Sequence, residues 1–260
     1  MLFRRATPGA LALAAPARTG QHPGLVGRPL LVLWDIDQTL LEARGAGRDA
    51  YAAAFQRLVG RPLDQPWQFN GRTELAAATE VLRAHDVEPT PALVRSFVAA
   101  ITAELHARAD DMRRRGRVLP GAADALAACA AVTGVHQSVL TGNVAGLAEL
   151  KLRLFGLDRH LDLRIGAFGD DAIERTDLPP HAWRRAEQHL GHRFTGADTV
   201  IVGDTLLDVA AGRTAGARVV AVATGPADVA ALHQAGADVV LPDLVDTSSV
   251  VAAIVQPSAV

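Results

Sequence analysis

Apolar and polar positions change their period along this chain, and the changes mark out its elements. Leu31-Val32-Leu33-Trp34 is an unbroken apolar run of strand length that stops at Asp35-Ile36-Asp37. A short run that can be buried on both faces reads as a central parallel strand. Further strand-like runs occupy residues 136–140, 161–167, 199–202, 218–222 and 237–241. Helical spacing fills the gaps at 121–132, 144–155, 179–190, 206–215, 227–235 and 247–255. Alternation of this kind predicts an α/β fold, a Rossmann-like parallel sheet with helices on both faces.

Residues 42–118 break the alternation, because no strand pattern occurs there. A helix is expected over 48–59, with Tyr51, Phe55, Leu58 and Val59 on one face. Gly60-Arg61-Pro62 ends it and residues 66–71 form a loop. A second helix covers 73–84, with Leu75, Ala78 and Leu82 inward. A third starts at Thr90-Pro91, a good cap followed by a residue suited to the first helical position, and runs to about Arg115. Its Arg113-Arg114-Arg115 end suits the helix dipole in solvent. The expected organisation is a leader over 1–28, a core of 29–41 plus 119–260, and a helical insertion over 42–118.

Composition adds limits. A chain of 260 residues with 49% apolar content can bury a substantial core. A formal net charge of −2 gives no footprint for nucleic acid. One cysteine, Cys129, excludes an internal disulfide and a cysteine metal cluster, and its Ala-rich setting marks a small core residue. No stretch approaches a membrane span. Met1–Arg5 followed by Ala-rich residues 9–17 imitates an export signal, but the apolar part is short, and a disordered leader on a cytoplasmic protein is expected. His136, His160, His181, His189 and His192 have no ligand-like spacing and are expected to be structural or surface residues.

The candidate chemistry lies at strand ends, where ligands bind in open parallel sheets. Asp35 and Asp37 crowd one end and repel each other, unless a divalent cation lies between them or one is protonated. A plain strand-end turn would also favour Asp. Thr199–Val202 leads to Gly203-Asp204, with Asp208 in the first turn of the next helix, its positive end. Residues 138–140 lead to Thr141-Gly142-Asn143, where glycine allows close backbone approach and a helix start offers N–H groups to an anion.

Together and in this order, these strand ends resemble the motifs of the haloacid dehalogenase superfamily of aspartate-nucleophile hydrolases. Asp35, Asp37 and Thr39 match D-x-D-x-T, Thr141 matches the second motif, and Gly203, Asp204 and Asp208 match G-D-x-x-x-D. Gln38 stands where relatives usually carry Gly, at a position that needs turn geometry. The resemblance implies a magnesium-dependent phosphomonoester hydrolase acting on a small phosphorylated metabolite. It implies Asp35 as nucleophile and Asp37 as general acid and base. It also implies Mg²⁺ held by Asp35, Asp204 and the Asp37 carbonyl, Asp208 orienting Asp204 or a metal-bound water, and phosphoryl oxygens held by Thr141 and the amide that follows. The helical insertion sits where relatives carry a substrate-selecting cap. Its Gly71-Arg72-Thr73-Glu74 resembles a segment of phosphoglycolate-phosphatase-like relatives, usually Gly-Arg-Thr-Asp, which makes Arg72 either an anion contact or a helix-start residue in water.

The family also uses a cation near the nucleophile. Lys151, the only lysine, follows Asn143 by two helical turns, roughly 12 Å along an axis. Arg175 directly precedes the 179–190 helix and is the easier choice geometrically. A dehalogenase would not need the second acid, Asp37. A Schiff-base phosphonate hydrolase would need a lysine in the insertion, which has none. A phosphomutase or a non-catalytic binding protein remains as an alternative.

Overall fold

The structure, a computed structural model, describes residues 28–64 and 71–256. Apart from Arg28 and Gly71, the expected leader and the 66–71 loop lie outside the described residues. The chain runs β1 (Leu30–Trp34), β2 (Leu41–Glu42), α1 (Ala46–Val59), α2 (Glu74–Ala84), α3 (Pro91–Ala107), α4 (Ala109–Arg115), β3 (Arg117–Val118), α5 (Ala122–Ala130) and β4 (Val135–Val139). It continues through α6 (Ala145–Leu154), α7 (Pro179–Leu190), β5 (Thr199–Gly203), α8 (Leu206–Ala215), β6 (Arg218–Val222), α9 (Val229–Ala235), β7 (Val239–Leu241) and α10 (Thr247–Val255).

The main sheet has the order β4-β1-β5-β6-β7, every pair parallel. From β1 the chain steps to β4 on one side, then returns past β1 to β5 on the other. The carboxyl ends of β1, β4 and β5 therefore meet where the strand order reverses, the place where such sheets open a crevice. Alternating side chains of β1 feed two cores. Val32 and Trp34 pack with α5 and α10, while Leu31 and Leu33 pack with α7 and Phe194. The buried Trp34 donates its Nε1–H to Gln137 Oε1 at 3.0 Å, so its polar edge is satisfied.

Helices α1–α4 build a separate cluster around Tyr51, Phe55, Leu82 and Phe97. Phe97 meets Tyr51 and Phe55 edge-on, with centroids 5.6 Å and 6.0 Å away. Thr73 and Thr90 cap α2 and α3 by accepting from Ala76 N and Leu93 N. Val144, the N-cap of α6, and Leu147 within it complete this cluster, so the helical insertion rests on the helix that follows β4.

Three expectations need correction. Residues 161–167 are not a strand. Leu163–Ile165 is a 3₁₀ turn, and Ala167 makes only an isolated bridge to Leu140. Asp162 accepts from Arg164 N and starts that turn, and Ile165 and Ala167 are apolar because they are buried, not because they are extended. The third insertion helix is interrupted at Arg108. No residue of 106–110 is a helix breaker, and the two pieces place Leu105 and Met112 in one cluster. Finally, the 42–118 stretch is not free of strand: β2 and β3 pair antiparallel at its base, clamped by Arg117 on Glu42 at 2.7 Å. Two residues are too few for a period to show.

Candidate active site

Asp35 directly follows β1, with its N–H still bonded to Val202 O at 2.8 Å, so its carboxyl is placed by the sheet. The chain then turns tightly. Leu40 N and Leu41 N both donate to Ile36 O, and Gln38 N donates to Leu41 O at 2.8 Å. Gln38 takes φ +64°, the left-handed conformation that favours glycine, and Thr224 Oγ1 holds its carbonyl at 2.5 Å. The turn brings Thr39 back to donate to Asp204 Oδ1 at 2.9 Å.

Arg175 is the hub beneath this turn. Its Nη2 lies 2.8 Å from Asp35 Oδ1, 2.6 Å from Asp208 Oδ1 and 3.1 Å from Leu140 O. Its Nη1 donates to Gly71 O at 2.8 Å. Asp208 gives its other oxygen to Thr205 N at 3.0 Å and Thr205 Oγ1 at 2.6 Å, closing a capping box on α8. Burial pushes the Asp35 carboxyl up to about 6, opposed by Arg175 and reinforced by Asp208. Asp204 is pushed up to about 9, by burial first and then by Asp35 and Asp208. Burial works against the Arg175 charge, but Asp208 and Asp35 outweigh it and raise its pKa.

Asp37 faces a different environment. Its side chain is 39% exposed, and its Oδ2 accepts from Lys151 Nζ at 2.6 Å and Asn143 Nδ2 at 2.8 Å. Lys151 also donates to Asn143 Oδ1 at 2.7 Å, and Asn143 Nδ2 donates to Thr141 Oγ1 at 2.8 Å. Lys151 thus reaches the site, against the expectation from axial distance. Side chains on a helix tilt toward its N-terminus, so the lysine stem runs back along α6. Both candidate cations are present, with different partners.

A cavity of about 610 Å³ opens over these groups. Asp35, Asp37, Thr141, Gly142, Asn143, Lys151, Arg175 and Asp204 line it from the α/β core, while Tyr51, Arg72, Glu74 and Leu105 line it from the insertion. Arg72 is half exposed, on the cavity wall, with its guanidinium 3.1 Å from Glu80. Gly142 is required by close approach: a Cβ there would lie 2.0 Å from Arg72 O. Its carbonyl accepts from Glu74 N at 2.8 Å. Sequence reading passed over Glu74 and Thr205 as site residues, since an acid or a threonine at a helix start is ordinary capping chemistry. His136 and His192 pack on Phe194, and none of the five expected structural histidines lines the cavity. Cys129 is buried in the core, its thiol pushed up to about 12 by burial.

Asp35, Asp204 and Asp208 each present an oxygen within 4.8 Å of the other two. Asp208 has both oxygens engaged, whereas Asp204 Oδ2 is buried with no hydrogen-bond partner. A Cβ at Gly225 would lie 1.7 Å from that oxygen, so glycine keeps the space beside it open. An orphaned buried carboxylate oxygen is costly, and acids this close repel. A hard, oxygen-seeking dication fits this donor set, with Asp35 and Asp204 as direct donors and Asp208 holding Arg175 and α8 in place.

The family model described as haloacid dehalogenase-like hydrolase matches residues 32–213. No curated protein matches the sequence. Among solved structures, the chain is similar to CbbY from Rhodobacter sphaeroides, solved in complex with phosphate (22% identity, TM-score 0.64, covering 84% of this chain and 96% of that one). It is similar to a hydrolase from Pseudomonas syringae (18% identity, TM-score 0.64, covering 85% and 96%). It is also similar to a protein from Haemophilus somnus 129pt described as a predicted phosphoglycolate phosphatase (18% identity, TM-score 0.58, covering 87% and 99%). At these identities the likeness shows the fold. Among the described residues no helix is long and apolar enough to cross a membrane.

Proposed function

Since this chain belongs to the haloacid dehalogenase-like hydrolase family, we propose that it is a magnesium-dependent phosphatase that hydrolyses the phosphate monoester of a small metabolite through an aspartyl-phosphate on Asp35. One observation carries the reading: the two acids at the end of β1 occupy opposite environments in one cavity. Asp35 is buried on Arg175, while Asp37 is open to the cavity and held through one oxygen by Lys151 and Asn143. A carboxylate fixed in place by an arginine suits in-line attack, and an acid open to the cavity suits proton exchange with the leaving group and with water.

Asp35 attacks phosphorus, and the bond from phosphorus to the ester oxygen breaks. The Asp37 carboxylic acid gives its proton to the departing oxygen. In the second half, the Asp37 carboxylate takes a proton from water, whose oxygen attacks the phosphorus. The bond to Asp35 breaks, which frees inorganic phosphate and restores the carboxylate. Arg175 holds Asp35 Oδ1 throughout and leaves the other oxygen to react. Thr141, the Gly142 backbone and Lys151 bind phosphoryl oxygens, and Asn143 keeps Lys151 and Asp37 in register. Mg²⁺, when bound to Asp35 and Asp204, supplies the positive charge that a dianionic ester needs among carboxylates. CbbY, which shares the fold, was solved with phosphate, in keeping with this substrate class.

Residues 42–118 serve as a cap over the site, with Arg72 on the cavity wall. Location in the cytoplasm is part of the same proposal. The test is release of inorganic phosphate from a panel of phosphorylated metabolites with Mg²⁺, with isomerisation of sugar phosphates assayed in parallel. Release that depends on Asp35 supports a phosphatase. Isomerisation without net release identifies a mutase, and neither activity on any ester overturns the proposal.

A further inference from the structure

Glu74, the first residue of α2, is an acid that the chemistry above does not use. It lines the same cavity as Asp35, Asp37 and Lys151. Its Oε2 accepts from the Tyr51 hydroxyl at 2.6 Å, and among the described residues Tyr51 is the side chain that hydrogen-bonds it. Burial and the Glu74 charge push the Tyr51 hydroxyl well above its ordinary value, so the phenol remains a neutral donor. Burial also lifts the Glu74 carboxyl, against the Tyr51 hydrogen bond and the Lys151 charge. A carboxyl in a cavity wall beside Ala77 and Leu147, with one neutral donor, is short of partners.

Its position is also fixed. Glu74 N donates to Gly142 O at 2.8 Å, Thr73 Oγ1 donates to Ile173 O at 2.5 Å, and Arg175 Nη1 donates to Gly71 O at 2.8 Å. Residues 71–74 are therefore tied to separate parts of the α/β core through Gly71 O, the Thr73 hydroxyl and Glu74 N, and a Cβ on Gly71 would strike Thr205 Oγ1 at 2.5 Å. A polar group held this firmly in a pocket can discriminate, because binding does not first have to order it. The insertion arginines Arg44 and Arg72, also in the cavity wall, already have acidic partners, Glu42 at 2.9 Å and Glu80 at 3.1 Å.

Resting on the phosphatase reading, we propose that Glu74 reads the alcohol half of the substrate. It accepts a hydrogen bond from a hydroxyl or ammonium group on the leaving group, and so favours polyol or amino-alcohol phosphates over esters with a purely apolar leaving group. A site built around a substrate donor rejects the analogue that lacks it, because the buried acceptor is left unpaired.

The experiment compares kcat/KM for matched pairs: glycerol 1-phosphate against propyl phosphate, and phosphoethanolamine against ethyl phosphate. Wild type, Glu74→Leu and Glu74→Gln are measured with Mg²⁺, each variant first checked for fold by circular dichroism. The wild-type ratio is expected to be about tenfold or more in at least one pair, and which pair shows it identifies hydroxyl or ammonium. Glu74→Leu brings that ratio close to one. Glu74→Gln keeps the shape but weakens the acceptor, lowers the ratio a few fold, and decides the matter if the Leu variant does not fold. A wild-type ratio near one in both pairs, or a ratio that neither variant changes, overturns the inference while leaving the phosphatase reading intact. No phosphate release from any ester overturns both.

Discussion

Arg175 Nη2 lies 2.8 Å from Asp35 Oδ1 and 2.6 Å from Asp208 Oδ1, with all three side chains buried. One cation therefore balances carboxylates from two distant stretches of chain, and its second nitrogen holds Gly71 O in the insertion. Removing it would leave those acids buried and unpaired. Arg175→Met is expected to cost about 3–5 kcal/mol, the usual penalty for breaking a buried pair from one side. Urea unfolding measures this, and phosphatase turnover should be lost with it. Arg175→Lys keeps the charge but not the fork, and should recover only part of the stability.

Asp35→Asn separates chemistry from folding. The amide cannot act as nucleophile, so magnesium-dependent phosphate release should disappear. The net upward shift of Asp35 to about 6 means that the fold works against its charge. The variant should therefore melt no lower than wild type at pH 8 without metal. Retained turnover, or a large fall in Tm, would contradict this.

The metal-free protein should lose stability as pH rises. Asp204 moves from 3.8 to about 9 on folding, and Asp35 from 3.8 to about 6. Between the unfolded and folded values the native state holds more protons than the unfolded chain, so stability falls with pH across roughly pH 4–9. Mg²⁺ needs the ionised acids and should reverse the trend, with stabilisation growing toward alkaline pH. At a hundredfold excess over Kd the gain is about 2.7 kcal/mol, which for a domain of this size is roughly 5–10 °C in Tm. Thermal melts from pH 5 to 9, with Mg²⁺ or with EDTA, test the slope.

Lys151→Met should leave the fold in place but remove one donor from Asp37 and Asn143. If the lysine also binds the phosphoryl group, kcat should fall about 10²–10³-fold, as for loss of one preorganised donor. Steady-state kinetics on the best ester measures it, and a change below threefold would assign the phosphate contact elsewhere.

Gly142→Ala tests the seam between the insertion and the core. The new Cβ would sit 2.0 Å from Arg72 O, a backbone atom that can move only if Glu74 N leaves Gly142 O. Overpacking of this kind costs about 1–3 kcal/mol. Activity should fall as well, because both partners line the cavity. Chemical denaturation and kcat/KM on the same preparation are the measurements.

Much of the site was legible because its groups stand at strand ends. Asp35 and Asp204 each follow an apolar run and Thr141 follows Val139-Leu140, and a parallel sheet brings such ends together whatever the sequence between them. Gln38 lies in a turn, as expected at its position, and its left-handed φ of +64° is what the structure adds. Lys151 was misjudged because distance along an axis ignores the backward tilt of its side chain. Glu74 was overlooked because its local setting is that of any helix start. The 161–167 segment misled because burial makes a buried 3₁₀ turn as apolar as a strand.

Hydrophobic period, capping residues and turn chemistry act over a few residues, so the sequence alone determined the sheet, its covering helices, the helical insertion and the acids at the strand ends. Contacts between residues far apart in the chain obey no such local rule. That Arg175 serves Asp35 and Asp208 while Lys151 serves Asp37 follows from how elements of the core converge at the crevice, and that Glu74 is pinned over Gly142 follows from how the insertion rests on the core. Only the tertiary structure decided those pairings, because charges are buried or exposed by their neighbours in space, not by their neighbours in the chain.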